Sequence, residues 1–269
     1  MRWINVRPRR AGWLALAPFL ILALVYLAAS QVRLAANPDD KLVPAPSKIA
    51  AAVERMAFQP DVRTGSYFLW EDTAASLGRL ALGVGIATVV GLVAGMTIGM
   101  LPVARASLDP FVTAVSMVPA LAILPILFIV LGVGEVSKVA LITLGILPFL
   151  IRDLAERVRE IPEEQWLKGQ SLGASSLQLA LRVVLPQILP RLLASVRLSL
   201  GPAWLFLISA EAISAESGLG YRIFLMRRYL SMDVILPYVV WITLLAFSFD
   251  FALRELQRRR YAWLAAEAR

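Results

Sequence analysis

Three ionisable side chains stand at the edges of, or inside, long uncharged runs. Arg79 opens the run that ends at Arg105, Glu211 closes the run that begins at Leu198, and Asp250 follows the run that starts after Asp233. An ionised group among apolar residues is costly, so each is a functional candidate by default. The chemistry open to them is ion pairing, solute attraction or proton transfer. Glu211 is expected to serve a structural pair with Arg79 or Arg222. Arg79 is expected to snorkel to an interface, although it could also attract anions. Asp250 is expected to pair with Arg254 one helical turn on. The sequence SGLG at 217–220 reads as a tight turn. Arg79, Glu211, Gly218 and Gly220 are therefore the candidates for a pathway or gate.

Covalent chemistry is poorly provided for. The chain has neither His nor Cys, which excludes disulfides, Cys/His metal sites and Ser-His-Asp or Cys-His nucleophile systems. No G-x-x-x-x-G-K-[ST] occurs, so no P-loop holds a nucleotide here.

The elements around these residues read as membrane helices. Of 269 residues, 59% are hydrophobic, above the roughly 45–50% usual for soluble domains. Charge-free gaps run from Arg10 to Arg33, Arg79 to Arg105 and Asp109 to Glu135, each able to hold the roughly 20 apolar residues of a span. Shorter gaps run from Lys138 to Arg152, Arg197 to Glu211 and Asp233 to Asp250. The expectation is an all-α polytopic membrane protein of about six helices, at about 12–32, 74–101, 108–131, 136–152, 196–214 and 234–253. The first run is longer than the hydrophobic region of a signal peptide, so it is read as a retained span. Net charge is +8. Most Lys and Arg fall in segments that are cytoplasmic if the N-terminus is inside, so the positive-inside rule accounts for the basicity and no nucleic-acid partner is expected.

This frame gives an N-terminal segment 1–11, a transmembrane domain 12–254 and a tail 255–269. Residues 35–72 and 215–233 lie outside, and 153–195 form an inner loop. In the outer segment, Ser47 is expected to cap a short helix whose Ile49, Val53 and Met56 lie on the membrane surface. In the second span, Gly83, Ala87, Gly91, Gly95 and Gly99 recur every four residues, which lets another helix approach closely. In the third, Pro110, Pro119 and Pro125 predict a kink or break.

The inner loop contains GQSLGASSLQLALRVVLPQILP, Gly169–Pro190. Pro162, Glu163 and Glu164 form a helix start. Gly173 is expected to end that helix near Leu172. A second helix, about Ser175–Val184, precedes Pro186 and Pro190, which are expected to redirect the chain into the fifth span. The result is a helix–turn–helix knob of a size to dock into another protein.

Here the chain resembles the permease subunits of bacterial ATP-binding cassette importers. Their cytoplasmic loop has the form Glu-Ala-Ala, three residues, Gly, nine residues, Ile, one residue, Leu-Pro. Gly173 is followed by nine residues and then Val183, Val184, Leu185 and Pro186, while Leu167, Lys168 and Gly169 replace Glu-Ala-Ala. LVPAPSKI, SLGR at Ser76–Arg79, LDPF at Leu108, the run PALAILPILFIVLGVGEVSK, EAISAESGLGY and RRYAW are similar to the nitrate/sulfonate/taurine (bicarbonate) branch.

The resemblance implies the type I importer permease fold in the bacterial cytoplasmic membrane, with both termini cytoplasmic. It implies a permease homodimer, two cytoplasmic ATPase subunits that bind ATP and Mg, and an outer substrate-binding protein. No cofactor is expected in this chain, and it is not expected to be an enzyme. The coupling residues implied are Leu167, Lys168, Gly169, Gln170, Leu172, Gly173, Ala174 and Pro186. The solute implied is a small anion such as nitrate, bicarbonate, sulfonate or taurine. A carboxylate lining the path of an anion would repel it, a further reason to read Glu211 as structural. The alternatives are an ion-coupled secondary transporter, disfavoured by the lack of an internal repeat, and a permease for another small organic solute.

Overall fold

The computed structural model describes residues 11–38, 40–62 and 65–261, with side chains from Leu16. Among them every regular element is helical. The chain forms two compact units, one of residues up to Phe68 with Leu225–Val239, the other of Leu69–Phe224 with Val240 onward.

In the first unit, α1 (Ala11–Ala36) and α2 (Pro46–Phe58) are joined by a pinned connection. The Tyr26 hydroxyl donates to the Pro44 carbonyl at 2.7 Å. Asp40 accepts from the Leu42 amide and from Arg33, and these donors hold its carboxyl below its ordinary range. Phe19, Leu20, Leu22 and Val25 on α1 are exposed, as lipid-facing residues are. Helix α2 differs from expectation at its start. Pro46 supplies the first turn and Ala45 occupies the cap position, with no side-chain cap from Ser47. The helix starts at Pro46, which suits the first helical position, so Ser47 lies inside the first turn and not at the cap. Ala52 and Met56 are buried and Ile49 and Val53 half-buried, so this face is turned to protein rather than to lipid.

The second unit is built on α3 (Phe68–Met100) and α6 (Glu135–Arg159). The small-residue stripe on α3 lies against α6 in parallel register. A Cβ placed on Gly83, Gly91, Gly95 or Gly99 would lie 2.7, 3.0, 2.7 or 2.4 Å from Ile142, Leu150, Leu154 or Val158. Both rows repeat every four residues, so the ridge of α6 fits the groove that the missing side chains leave.

Between these helices the chain makes the predicted break. Helix α4 (Pro102–Ser116) and α5 (Leu124–Leu131) meet at 85° across a 3₁₀ turn, Ala120–Ile123, that starts after Pro119. Pro119 has no N–H to continue α4, and Pro125 sits where the first turn of α5 tolerates it. Helix α4 joins α3 and α6 in a core of Ile98, Val112, Ile151 and Ala155.

Helix α7 (Glu163–Ser171) and α8 (Ser176–Leu179) lead into α9 (Leu185–Ser214), which runs antiparallel to α6. A Cβ on Gly145 would meet the Phe206 ring at 2.4 Å, and Leu141 packs with Leu124 and Ala210. Helix α10 (Leu219–Arg227) follows, and then α11 (Met232–Arg260). In its second-unit part, Trp241 donates to the Thr73 hydroxyl at 2.9 Å. Asp250 pairs with Arg197 on α9 at 2.9 Å rather than with Arg254, which lies over the Phe251 ring.

Helices α1, α3, the stretch Ser176–Ser214 and α11 are long and apolar enough to cross a membrane, four spans, or five if the bent pair α4–α5 crosses as one. The span expected at about 136–152 falls in α6, which is not among the helices apolar enough to cross a membrane. It carries Lys138, Arg152 and Asp153, and its buried face, including Leu141, Ile142, Ile146, Leu150 and Leu154, contacts protein. Its environment therefore demands less hydrophobicity than a lipid-facing helix would need.

The α3–α6 contact predicts that Gly99→Ala, one methyl against Val158, lowers stability by about 1–3 kcal/mol. Gly85→Ala, which meets open space, should not. Thermal unfolding midpoints in detergent check the contrast.

Candidate functional site

The predicted gate residues converge on one buried junction. Arg79 sits on α3 with Ser76 one turn and Asp72 two turns before it. Its guanidinium reaches Glu135 at 2.5 and 2.9 Å, Glu211 at 2.6 Å and the Ser217 carbonyl at 2.7 Å. Glu211 has no exposed surface. It accepts from the Ser76 hydroxyl at 2.7 Å and from the Gly220 amide at 2.8 Å. The Ser76 oxygen in turn accepts from the Leu219 amide at 2.8 Å. Asp72 accepts from the Gly218 amide at 2.9 Å and from Arg222 at 2.8 Å. Lys138 closes the set on Glu135 at 2.8 Å.

Arg79, Lys138 and Arg222 thus balance Glu135, Glu211 and Asp72. The first amides of α10 point at oxygen acceptors, as the positive end of a helix favours. Gly218 has φ +133°, and a Cβ there would meet Glu211 at 2.5 Å and Arg79 at 2.7 Å. On Gly220 a Cβ would meet the Ile208 carbonyl at 2.8 Å. Both glycines are needed for close approach. Glu211 has the structural pairing expected of it. Arg79 does not snorkel: it is 6% exposed and turned inward. The sequence reading missed Asp72, Ser76, Glu135 and Lys138, although the spacing of 72, 76 and 79 on one helical face was a usable signal.

None of the four gate candidates lines the groove beside α6, a cavity of about 1090 Å³. Its walls come from α4, the 3₁₀ turn, α6 and Phe206 of α9. Val112, Ile123, Leu147 and Phe149 are apolar contributors, and Asp109, Arg152, Asp153, Glu156 and Arg159 are charged ones.

At the inner loop, Pro162 is the cap of α7, one position earlier than its expected place inside the helix. Gly173 has φ +77°. The Gly173 and Ala174 amides donate to the Gln170 and Gly169 carbonyls at 2.9 and 3.1 Å, closing the helix. Ser175 and Gln178 then form a capping box. Leu179 is buried, and a Cβ on Gly169 would lie 2.3 Å from its side chain. Gly169 therefore seats Leu179, in addition to lowering helix propensity.

The second loop helix does not end at Val184 as expected but continues. After Leu179 comes a π-helical stretch, Ala180–Val184, and then α9, and Ser176–Ser214 reads as one long helix. Pro186 does not redirect the chain. The wider turn accommodates it, because the carbonyl its ring would crowd, that of Arg182, lies in the π stretch. Leu167, Leu172, Leu177 and Leu181 are exposed apolar side chains, as are Lys168 and Gln170 among the polar ones.

Several helices long and apolar enough to cross a membrane mark a multi-pass membrane protein. The chain belongs to the family of binding-protein-dependent transport system inner membrane components, whose profile matches residues 87–260. It is a permease subunit. It is 37% identical over 195 residues to the taurine transport system permease protein TauC of Escherichia coli K12, covering 72% of this chain and 71% of that protein. It is 28% identical over 257 residues to the putative aliphatic sulfonates transport permease protein SsuC of Bacillus subtilis 168, covering 95% and 89%. It is 32% identical over 194 residues to the bicarbonate transport system permease protein CmpB of Synechococcus elongatus, covering 71% and 69%. An inward-facing structure of the MetNI methionine ABC transporter matches the fold with TM-score 0.61 at 22% identity, covering 69% of this chain and 93% of that one.

Removing one partner of a buried ion pair costs about 3–5 kcal/mol. Glu211→Ala should therefore lower the unfolding midpoint sharply, whereas Glu216→Ala, outside the junction, should leave it unchanged. Parallel melts of the two variants in detergent make the comparison.

Proposed function

We propose that this chain lines half of the translocation pathway of an ATP-driven importer for a small anion of the sulfonate, taurine, nitrate or bicarbonate kind. The observation that carries the coupling part is the inner knob. A helix closed by a left-handed glycine, with the helix that follows it, presents Leu167, Leu172, Leu177 and Leu181 to solvent, although such residues are ordinarily covered in a folded assembly. A cytoplasmic ATPase subunit is the partner that covers them, and it holds the ATP and Mg. Leu167, Lys168, Gly169, Gln170, Leu172, Gly173 and Ala174 form the docking helix and its turn. Pro186 marks where the knob passes into the spanning helix, so force on the knob reaches the pathway directly.

The names of the relatives, taurine, aliphatic sulfonates and bicarbonate, support the anion class. The groove is bordered by exposed Phe111, Val118 and Phe149, which a second copy of the chain would cover, giving a homodimer. Both termini and 153–195 are cytoplasmic, 35–72 and 215–233 face the binding protein, and the transmembrane domain runs over 12–254. The junction around Arg79, Glu211, Gly218 and Gly220 is a rigid outer joint of this pathway and does not contact the solute.

A tagged chain extracted gently from its native membrane should copurify with a P-loop ATPase. Gly173→Val, which cannot keep φ +77° without strain, should abolish recovery of that ATPase while the chain remains in the membrane. Lys168→Glu should weaken it, since exposed Lys168 is expected to meet an acidic or polar partner. Full recovery with both variants would remove the loop from the docking surface.

A further inference from the structure

The charged side chains of the groove are not equivalent. Arg159 contacts Glu156 and lies 3.9 Å from Asp109. Asp153 accepts from the Ser195 hydroxyl and lies 3.7 Å from Arg157. Arg152 has no carboxylate within ion-pair distance among the described residues. Its Nη1 donates to the Ser116 hydroxyl oxygen at 3.0 Å, and its side chain is exposed. Ser116 ends α4, immediately before the break at Pro119. Its own O–H donates to the Thr113 carbonyl at 2.7 Å, which leaves its oxygen to accept from Arg152.

A neutral hydroxyl orients the guanidinium without cancelling its charge. It also leaves most of the five N–H donors open, in the fork that suits two oxygens of one oxyanion. Asp109 and Glu156 share Arg159, and Asp153 lies near Arg157, so Arg152 is the wall's arginine that pairs with no carboxylate among the described residues. We propose that Arg152, positioned by Ser116, is the anion-recognition residue of the groove, donating to two oxygens of a sulfonate or a similar small oxyanion as it passes toward the cytoplasm. This rests on the reading of the groove as an anion pathway. It gives Arg152 the specificity role that the sequence candidates Arg79 and Glu211 do not fill.

The chain has no cysteine, so Ser116→Cys places a unique thiol beside Arg152. In the assembled importer this thiol is labelled with an anionic sulfonatoethyl methanethiosulfonate and with its cationic trimethylammonium analogue, each rate normalised to that of a free thiol. The anionic reagent should be preferred. Adding Arg152→Gln should reduce the preference by about tenfold, the scale of electrostatic focusing in a cleft, while Arg152→Lys should keep most of it. Equal preference in all three backgrounds would overturn the proposal.

In a second arm, Arg152→Gln alone should cut uptake of radiolabelled taurine by at least about tenfold with unchanged membrane abundance and ATPase recovery. Unchanged uptake would also overturn it. If the unmodified importer moves no taurine, the substrate reading fails, and the labelling preference alone decides the role of Arg152.

Discussion

A carboxylate without exposed surface must be compensated where it stands, and Glu211 sets that requirement for the junction of α3, α6, α9 and α10. Its compensation draws Ser76 and Arg79 from α3 and the amide of Gly220 from the start of α10. Arg79 then carries the linkage to Glu135 at the start of α6. One desolvated charge therefore fixes the relative position of four helices. The geometry leaves no room for a side chain at Gly218. Water-filled or apolar alternatives would lack this directionality, because hydrogen bonds to ionised groups are both stronger and more angle-dependent than apolar contacts.

Below that joint, the α3–α6 pair works by a different force. In a membrane, apolar side chains gain little from leaving lipid for protein, so association depends on close packing. The glycine row on α3 supplies that packing along nearly the whole of α6, from Ile142 to Val158. A rigid pair of this kind gives the bent α4–α5 segment and α9 a fixed wall to pack on. The groove forms where the bend at Pro119 carries the chain away from α6. At the inner end, the continuous helix from Ser176 through Ser214 joins the exposed knob to Phe206 and Glu211.

Much of this was legible in the sequence where a local rule dictates geometry. The four-residue glycine spacing foretold a close helix contact on α3, and the prolines foretold the break. Gly173 foretold the turn through its backbone freedom, and Glu211 foretold a buried pair through the cost of its own charge. What was not legible depends on partners distant in sequence. That Asp250 meets Arg197 rather than Arg254 is set by the packing of α11 on α9. That Arg79 turns inward follows from two acids brought in from α6 and α9. Pro186 was read as a redirecting residue because proline usually ends a helix, but a π stretch one turn earlier absorbs it. Ser47 reads as a cap, but the helix starts at Pro46 and places Ser47 inside its first turn. The distinction between Arg152 and Arg159 could not be drawn from spacing at all, since it depends on which acids lie across the groove.

The central claim is that this chain is a passive pathway driven through its inner loop by a separate ATPase. The most direct measurement is accumulation of labelled taurine by proteoliposomes holding the permease, its copurifying ATPase and its binding protein, with hydrolysable ATP or a non-hydrolysable analogue at the knob side. The account predicts accumulation only with hydrolysable ATP and only with binding protein on the opposite side. Accumulation driven by an imposed ion gradient without ATP would contradict it and would mark the chain as an ion-coupled transporter.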